Sequence, residues 1–265
     1  MVGATMGDLP SDGDAVLPPD SVLGKVGLIL DAFSAEEPTL GVSELSRVTG
    51  VPKATVFRLT RDLTALGMLD RDGSRYRLGL RLFELGSLVH RQRLLHDLAM
   101  PFLQDLRART DETVHLGIPA DGEVIYLARL AGHQTHTAPS RIAGRTPMHC
   151  TATGKAMLAN LPDALRAEVL AKPLTAETPY TIVVRSVLDQ ELERVRAAGF
   201  AVENEELALQ FRSVAAPVFG PGGRLLGAVS VTGPTSRITA EATAGPVRAA
   251  AAGISDAAAV RWELA

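Results

Sequence analysis

The sequence predicts an α+β chain in two parts, a winged helix-turn-helix followed by an antiparallel sheet with helices gathered around it. Three observations carry that expectation. Two short amphipathic segments meet at Gly50 and are followed by a basic hairpin signature. Beyond residue 112, strand-like runs broken by Asp-Gly and Gly-Pro turns alternate with helical stretches. Cationic charge is also concentrated: between Lys53 and Arg81, seven Lys/Arg stand against three Asp/Glu, a local +4 in a chain of net charge −3.

The elements follow in order. Val22, Val26, Ile29, Leu30 and Phe33 are spaced for burial on a helix over 21–35. The first helix of the turn runs from Val42 to Val48, with Val42, Leu45 and Val48 on one stripe. Gly41 is a tolerable N-cap whose amide Glu44 can bind. Gly50 stops the helix in the left-handed conformation. Pro52 opens the next, where a missing N–H is harmless. That helix, Pro52–Leu66, turns Val56, Leu59, Leu63 and Leu66 inward and Lys53, Thr55, Arg58 and Arg61 outward, and Gly67 closes it. Asp72-Gly73 then turns a hairpin with Arg71, Arg75 and Arg77 around its tip.

Residues 80–89 are apolar on more than one side, as expected of a linker helix covered by a second subunit. A helix over 94–110 should be interrupted near Pro101. A hairpin over 114–130 turns at Ala120-Asp121-Gly122, and helices follow over 151–160 and 161–171. A further helix, 186–198, has Ser186 as its expected N-cap and Asp189 at N3. Strands are expected over 199–204, 211–219 and 225–232, the last two joined at Gly220-Pro221-Gly222-Gly223. Thr239 caps a closing Ala-rich region that Gly245-Pro246 must break or kink. The expected boundaries are a disordered tail (1–20), the winged helix-turn-helix (21–79), a linker helix (80–93) and the second domain (94–265).

Composition narrows the functional classes. A chain of 265 residues with 46% hydrophobic and 22% charged residues is an ordinary globular protein of two domains. No apolar run approaches the roughly 20 residues that cross a bilayer, so no membrane partner is expected. The first twenty residues lack a basic cluster and an apolar core, and read as a lead-in and not a signal peptide. A single cysteine excludes an internal disulfide and suits a cytoplasmic protein.

Cations near the start of a helix, beside a basic ribbon, are what a duplex groove and its phosphates require. Lys53, Thr55, Arg58 and Arg61 are therefore expected to reach bases or phosphates in the major groove. Arg71, Arg75 and Arg77 are expected on the backbone or in the minor groove. One module makes few base contacts, so twofold pairing on a palindromic operator is expected. Elsewhere, Ser230 and Thr232 lie two apart and project from one face of a strand, able to orient a polar ligand. Thr151–Thr153 could present amides to an anionic group, which favours aromatic or aliphatic acids as ligands.

Three other signals carry less. Gly154-Lys155 is not a phosphate-binding loop, because Ala156 stands where a magnesium-binding hydroxyl is needed. His133, His136, His149 and Cys150 have zinc-compatible chemistry, but their loop and strand placement argues against a shared ion. Cys150 has no orienting group or oxyanion hole in view, so no catalytic role and no cofactor are expected.

Five segments together resemble the IclR family of bacterial transcriptional regulators: GVPKATVFRLTRDLTALGMLDR, YRLGLRLFELG, PMHCTATGKAMLA, GFAVENEELALQFRSVAAPV and LGAVSVTGPTSRIT. They fall in order across nearly everything from residue 21 to about 260. The resemblance implies an N-terminal winged helix joined by a helix to a GAF-like effector domain, assembled as a homodimer or a dimer of dimers. It also implies a small-molecule effector pocket at Ala152, Thr153, Glu203, Ser213, Ser230 and Thr232. Members that bind small oxo-acids tend to carry Asp and Cys where this chain has Glu203 and Ser213, and Glu203 is one methylene longer. The alternative reading is a ligand-binding or enzymatic module whose winged helix mediates protein contacts. Repression and activation are equally compatible with the sequence.

Overall fold

Ser21 opens the first helix, its hydroxyl accepting the Gly24 amide at 2.9 Å. The computed structural model describes residues 18–34, 37–132 and 142–262, and the chain divides into two units between Val89 and His90.

The first unit holds α1 (Val22–Asp31), β1 (Leu40–Gly41), α2 (Val42–Thr49), α3 (Lys53–Ala65), β2 (Leu69–Asp72), β3 (Arg75–Leu78) and α4 (Leu80–Gly86). Local chemistry sets each boundary. Glu44 accepts the Gly41 amide at 2.7 Å, and Gly50 ends α2 at φ 70°. Pro52 is the N-cap of α3. The hairpin loop is Gly73-Ser74, one residue later than the expected Asp72-Gly73, since Asp72 still pairs with Arg75. Gly73 takes φ 61°, which a hairpin loop residue needs and a side chain resists. Strand β1 pairs with β3 and makes the wing three-stranded; two residues are too few to leave a periodic signal.

Ile29, Leu40, Leu45, Val51, Val56, Leu59, Leu63, Leu69 and Tyr76 form one core. Burying each such side chain contributes about 1.5–3 kcal/mol. Val48 and Leu66 are exposed instead; Val48 is in the last turn of α2 and Leu66 is the C-cap of α3.

The second unit holds α5 (His90–Thr110), β4 (Thr113–Ala120), β5 (Glu123–Leu130), β6 (Arg145–Pro147), α6 (Ala152–Leu158), α7 (Asp163–Val169), α8 (Arg185–Ala198), β7 (Ala201–Asn204), β8 (Phe211–Phe219), β9 (Leu225–Pro234) and α9 (Ala240–Arg261). The six strands form one antiparallel sheet in the order β6-β5-β4-β9-β8-β7. One face packs on α5 and α9 through Leu95, Leu103, Val229, Val231, Val247 and Ile254. The other packs on α6 and α8 through Val124, Met157, Leu188, Leu192 and Ala215.

Three expectations are corrected here. Helix α5 starts at His90 and runs through Pro101 unbroken. Helix α9 runs through Pro246 in the same way. Each proline removes one backbone bond, but both helices stay packed along the sheet through apolar residues on either side of the ring. Helix α8 begins at Arg185, with Val184 as N-cap and no side-chain cap; Ser186 is already inside, and Asp189 instead receives Arg185 at 3.0 Å.

Candidate nucleic-acid interface and ligand cavity

Helix α3 starts at Lys53 behind Pro52 with no side-chain cap, and the buried stripe of Val56, Leu59, Thr60 and Leu63 fixes which face points outward. Lys53, Arg58 and Arg61 are exposed on that face, while Thr55 is half-buried. Arg61 pairs with its neighbour Asp62 at 3.2 Å. Lys53 and Arg58 make no ion pair among the described residues. Ala54 and Phe57 are also exposed there, and Phe57 keeps 58% of its surface open. The outward list read from the sequence left Phe57 out because it counted charges and hydroxyls.

The wing is partly self-neutralised. Arg75 turns back onto α2, with Nη1 donating to Glu44 Oε1 at 3.1 Å and Nη2 to the Thr39 carbonyl at 2.6 Å. The Gly41 amide, ahead of Arg75, holds Glu44 below the usual carboxylate range. Arg77 lies 3.6 Å from Asp70, and Arg71 donates to the Gly73 carbonyl at 2.8 Å. The cations expected to act alike thus differ: Arg75 braces the wing, whereas Lys53 and Arg58 make no ion pair among the described residues.

The cavity follows from strand alternation. On β9, Val229 and Val231 face one helical layer, so Ala228, Ser230 and Thr232 face the other. Register then builds a polar row across three strands, Thr232 opposite Ser213 and Ser213 opposite Glu203. The two hydroxyls lie 3.0 Å apart. With His115, Tyr126, Thr151, Ala152, Thr153, Leu207, Ala208 and Phe211, this row lines a cavity of about 360 Å³ counted to its mouth. Gly117 lets the wall close: a Cβ there would lie 2.7 Å from the Thr153 methyl.

Five of the six positions named from the sequence therefore line the cavity: Ala152, Thr153, Glu203, Ser213 and Thr232. Ser230 does not. It sits one row along, opposite His115, with its hydroxyl 3.5 Å from His115 Nδ1. Sharing a face with Thr232 does not bring it to the same opening. From the sequence His115 is weighed only as a base for Cys150, and Tyr126 not at all; neither is expected in the cavity, since a single His or Tyr in an apolar strand carries no pattern.

Residues 205–210 close the cavity on one side. Glu203 Oε1 accepts the Glu206 amide at 2.7 Å and the Leu207 amide at 3.2 Å. Lys155, almost wholly buried, donates to Glu206 Oε1 at 2.5 Å and lies 3.9 Å from Glu191. Thr178 and Thr181 hydroxyls donate to the Glu205 and Glu206 carbonyls at 2.6 Å each. Lys155 thus makes a buried ion pair and does not line the cavity.

The electrostatics are distinctive. Among the described residues no Lys or Arg lines the cavity. Burial first, then Arg129, pushes His115 down to about 3, so it is neutral. Burial raises Glu203 above the usual carboxylate range, against the amides and Ser213 that lower it. Burial also pushes the Cys150 thiol up to about 12, with Glu177, Glu206 and Glu203 adding to it. That thiol is fully buried and protonated, which is packing chemistry. His149 Nε2 meets the Thr175 carbonyl at 2.9 Å. His133 and His136 lie outside the described residues.

Two family models match the chain: the IclR helix-turn-helix domain over residues 22–73, and the C-terminal domain of bacterial transcriptional regulator IclR over residues 87–256. The HTH-type transcriptional regulator XynR of Escherichia coli (strain K12) is 34% identical over 213 residues, 79% of this chain and 84% of that protein. The HTH-type transcriptional regulator KdgR of Dickeya chrysanthemi is 34% identical over 226 residues, 83% of this chain and 74% of that protein. Among solved structures, an IclR homolog from Microbacterium hydrocarbonoxydans complexed with 4-hydroxybenzoate superposes with a TM-score of 0.85 at 28% identity, covering 91% of this chain and 100% of that one.

Proposed function

The chain belongs to the IclR family of DNA-binding transcriptional regulators, and from that premise we propose that its affinity for a palindromic operator is set by a small organic acid held in the second unit's cavity. The observation that carries this reading is the row Thr232–Ser213–Glu203, a line of polar side chains that share one cavity with the His115 and Tyr126 rings, Phe211 and the start of α6. Lys53, Arg58 and Arg61 on α3 contact bases and phosphates, and Arg71 and Arg77 reach backbone from the wing. Arg75 contributes by holding the wing against α2.

The effector is small, because the cavity measures about 360 Å³ to its mouth. A ligand that bonds to Glu203 competes with the Glu206 and Leu207 amides, so residues 205–210 shift as it enters. The relative crystallised with 4-hydroxybenzoate supports an acid as the first class to test. A second copy of the chain completes the regulator: α4 leaves Leu80 and Phe83 exposed, as are Leu88 and Val89 beyond it. The protein then acts in the cytoplasm as a homodimer or a dimer of dimers.

The test titrates labelled upstream DNA with protein at fixed salt, with and without 4-hydroxybenzoate and other small acids. Arg58→Ala is expected to weaken binding with the fold intact, and Ser213→Val with Thr232→Val to abolish the acid response while sparing DNA binding. Retained response in the double variant overturns the cavity assignment, and unchanged affinity in Arg58→Ala removes that residue from the interface.

A further inference from the structure

The outward face of α3 carries one group that electrostatics does not explain. Phe57 is 58% exposed in the second turn, although the core beneath it is already filled by Val56, Leu59, Thr60 and Leu63. Aromatic residues are among the weaker helix formers, so an open ring on a helix surface gains nothing from propensity. Its place is specific. Lys53 and Arg61 are four residues to either side, and so stand directly above and below the ring along the helix. Arg58 is next to it, and exposed Ala54 in the preceding turn has too short a side chain to hold the helix off a surface.

The occupant must therefore be anionic at its edges and apolar at one point between them. Major-groove base edges flanked by phosphates have that layout, and their one apolar group is the 5-methyl of thymine. We infer that Phe57 is a sequence-specificity residue of α3 whose ring packs on the methyl group of a thymine in each operator half-site. This rests on the operator-binding reading above and adds a base to it: the cations set register and affinity, and Phe57 selects. The same methyl on 5-methylcytosine satisfies the ring, so methylation of a cytosine at that position substitutes for thymine. A bulky apolar ring also excludes the bare acceptor edge of guanine there, because it offers O6 and N7 no donor.

The experiment uses the full chain. Operator duplexes are enriched from a random pool, and each thymine of the half-site is replaced in turn by deoxyuridine, which removes only the methyl. At one position per half-site, affinity measured by fluorescence anisotropy at fixed salt is expected to fall about fourfold, the worth of one buried methyl-sized group. Phe57→Ala should bind like the demethylated complex and no longer distinguish thymine from uracil, with unchanged helicity. Phe57→Leu, which keeps an apolar contact, should retain part of the discrimination. Indifference of the wild type at every thymine overturns the contact, as does undiminished discrimination in Phe57→Ala. A pool that never enriches overturns operator binding itself, and the contact with it.

Discussion

Glu203 has two amide donors on one oxygen and no cation among the cavity-lining residues, so its proton is the variable that matters. Burial raises its pKa, so the ionised form is disfavoured in the folded chain relative to the unfolded one. The sign follows. Glu203 withdraws stability as pH rises from the usual carboxylate value through its raised folded value, and takes away no more above that. Glu203→Gln keeps an acceptor for both amides, so its melting temperature should exceed the wild type's at neutral pH and the gap should close on acidification below pH 4.5. An acid ligand adds a second negative charge beside the same carboxyl, so its binding should draw in a proton and weaken with rising pH, by up to about tenfold per unit. Calorimetry in two buffers of different ionisation enthalpy reads that proton directly, and Glu203→Gln should take up none. Lys155 is the opposite case, a buried cation with Glu206 on it. Lys155→Met leaves that carboxylate buried and unpaired, an expected loss of about 3–5 kcal/mol in denaturant unfolding. Adding Glu206→Met should restore most of it; a double variant no better than the single would show that Lys155 matters by its length alone.

At the scale of elements, α4 is the segment whose surface does not suit water. Phe83 and Leu80 project from it, and Leu88 follows it, with most of their areas open. Phe83→Glu with Leu88→Glu should shift sedimentation toward a monomer and weaken operator binding by more than tenfold, since a lone module loses half its contacts; an unchanged assembly would move the self-contact elsewhere. The same comparison shows what kind of information a sequence holds. Local signals survived: Glu44, Gly50, Gly73 and the Asp121-Gly122 turn, where φ is 53° and 82°, each fix a boundary through their own backbone chemistry. Signals that depend on packing did not. Pro101 and Pro246 lie inside continuous helices because the sheet face holds both ends. Ser186 resembles a cap but Arg185 begins the helix, with Asp189 engaged one turn on. Ser230 and Thr232 share a strand face, yet only register with β8 and β4 decides that Thr232 meets the cavity and Ser230 meets His115. His115 and Tyr126, whose rings lie 4.9 Å apart, come together from two strands and were invisible to any one-strand pattern.

For the whole molecule, the two binding events must be linked by one free energy if the chain regulates as proposed. The first unit exposes Lys53 and Arg58 on α3, and among the described residues no Lys or Arg lines the second unit's cavity, so salt separates the two. Operator affinity should fall about 10³-fold or more between about 50 and 200 mM salt through counterion release. Affinity for an uncharged ligand in the cavity should barely change over that range, because buried hydroxyls are little screened. The coupling then has a test that needs no knowledge of how the units move. If the effector changes operator affinity by some factor, typically about 5–150, then operator must change effector affinity by the same factor and in the same direction. Measuring effector binding with and without saturating operator, and operator binding with and without saturating effector, gives two independent values of that factor. Equality at two salt concentrations establishes an equilibrium switch in this chain. Inequality beyond error means that the operator-bound and free forms differ in assembly as well as conformation, and the self-contact through α4 then becomes part of the switch.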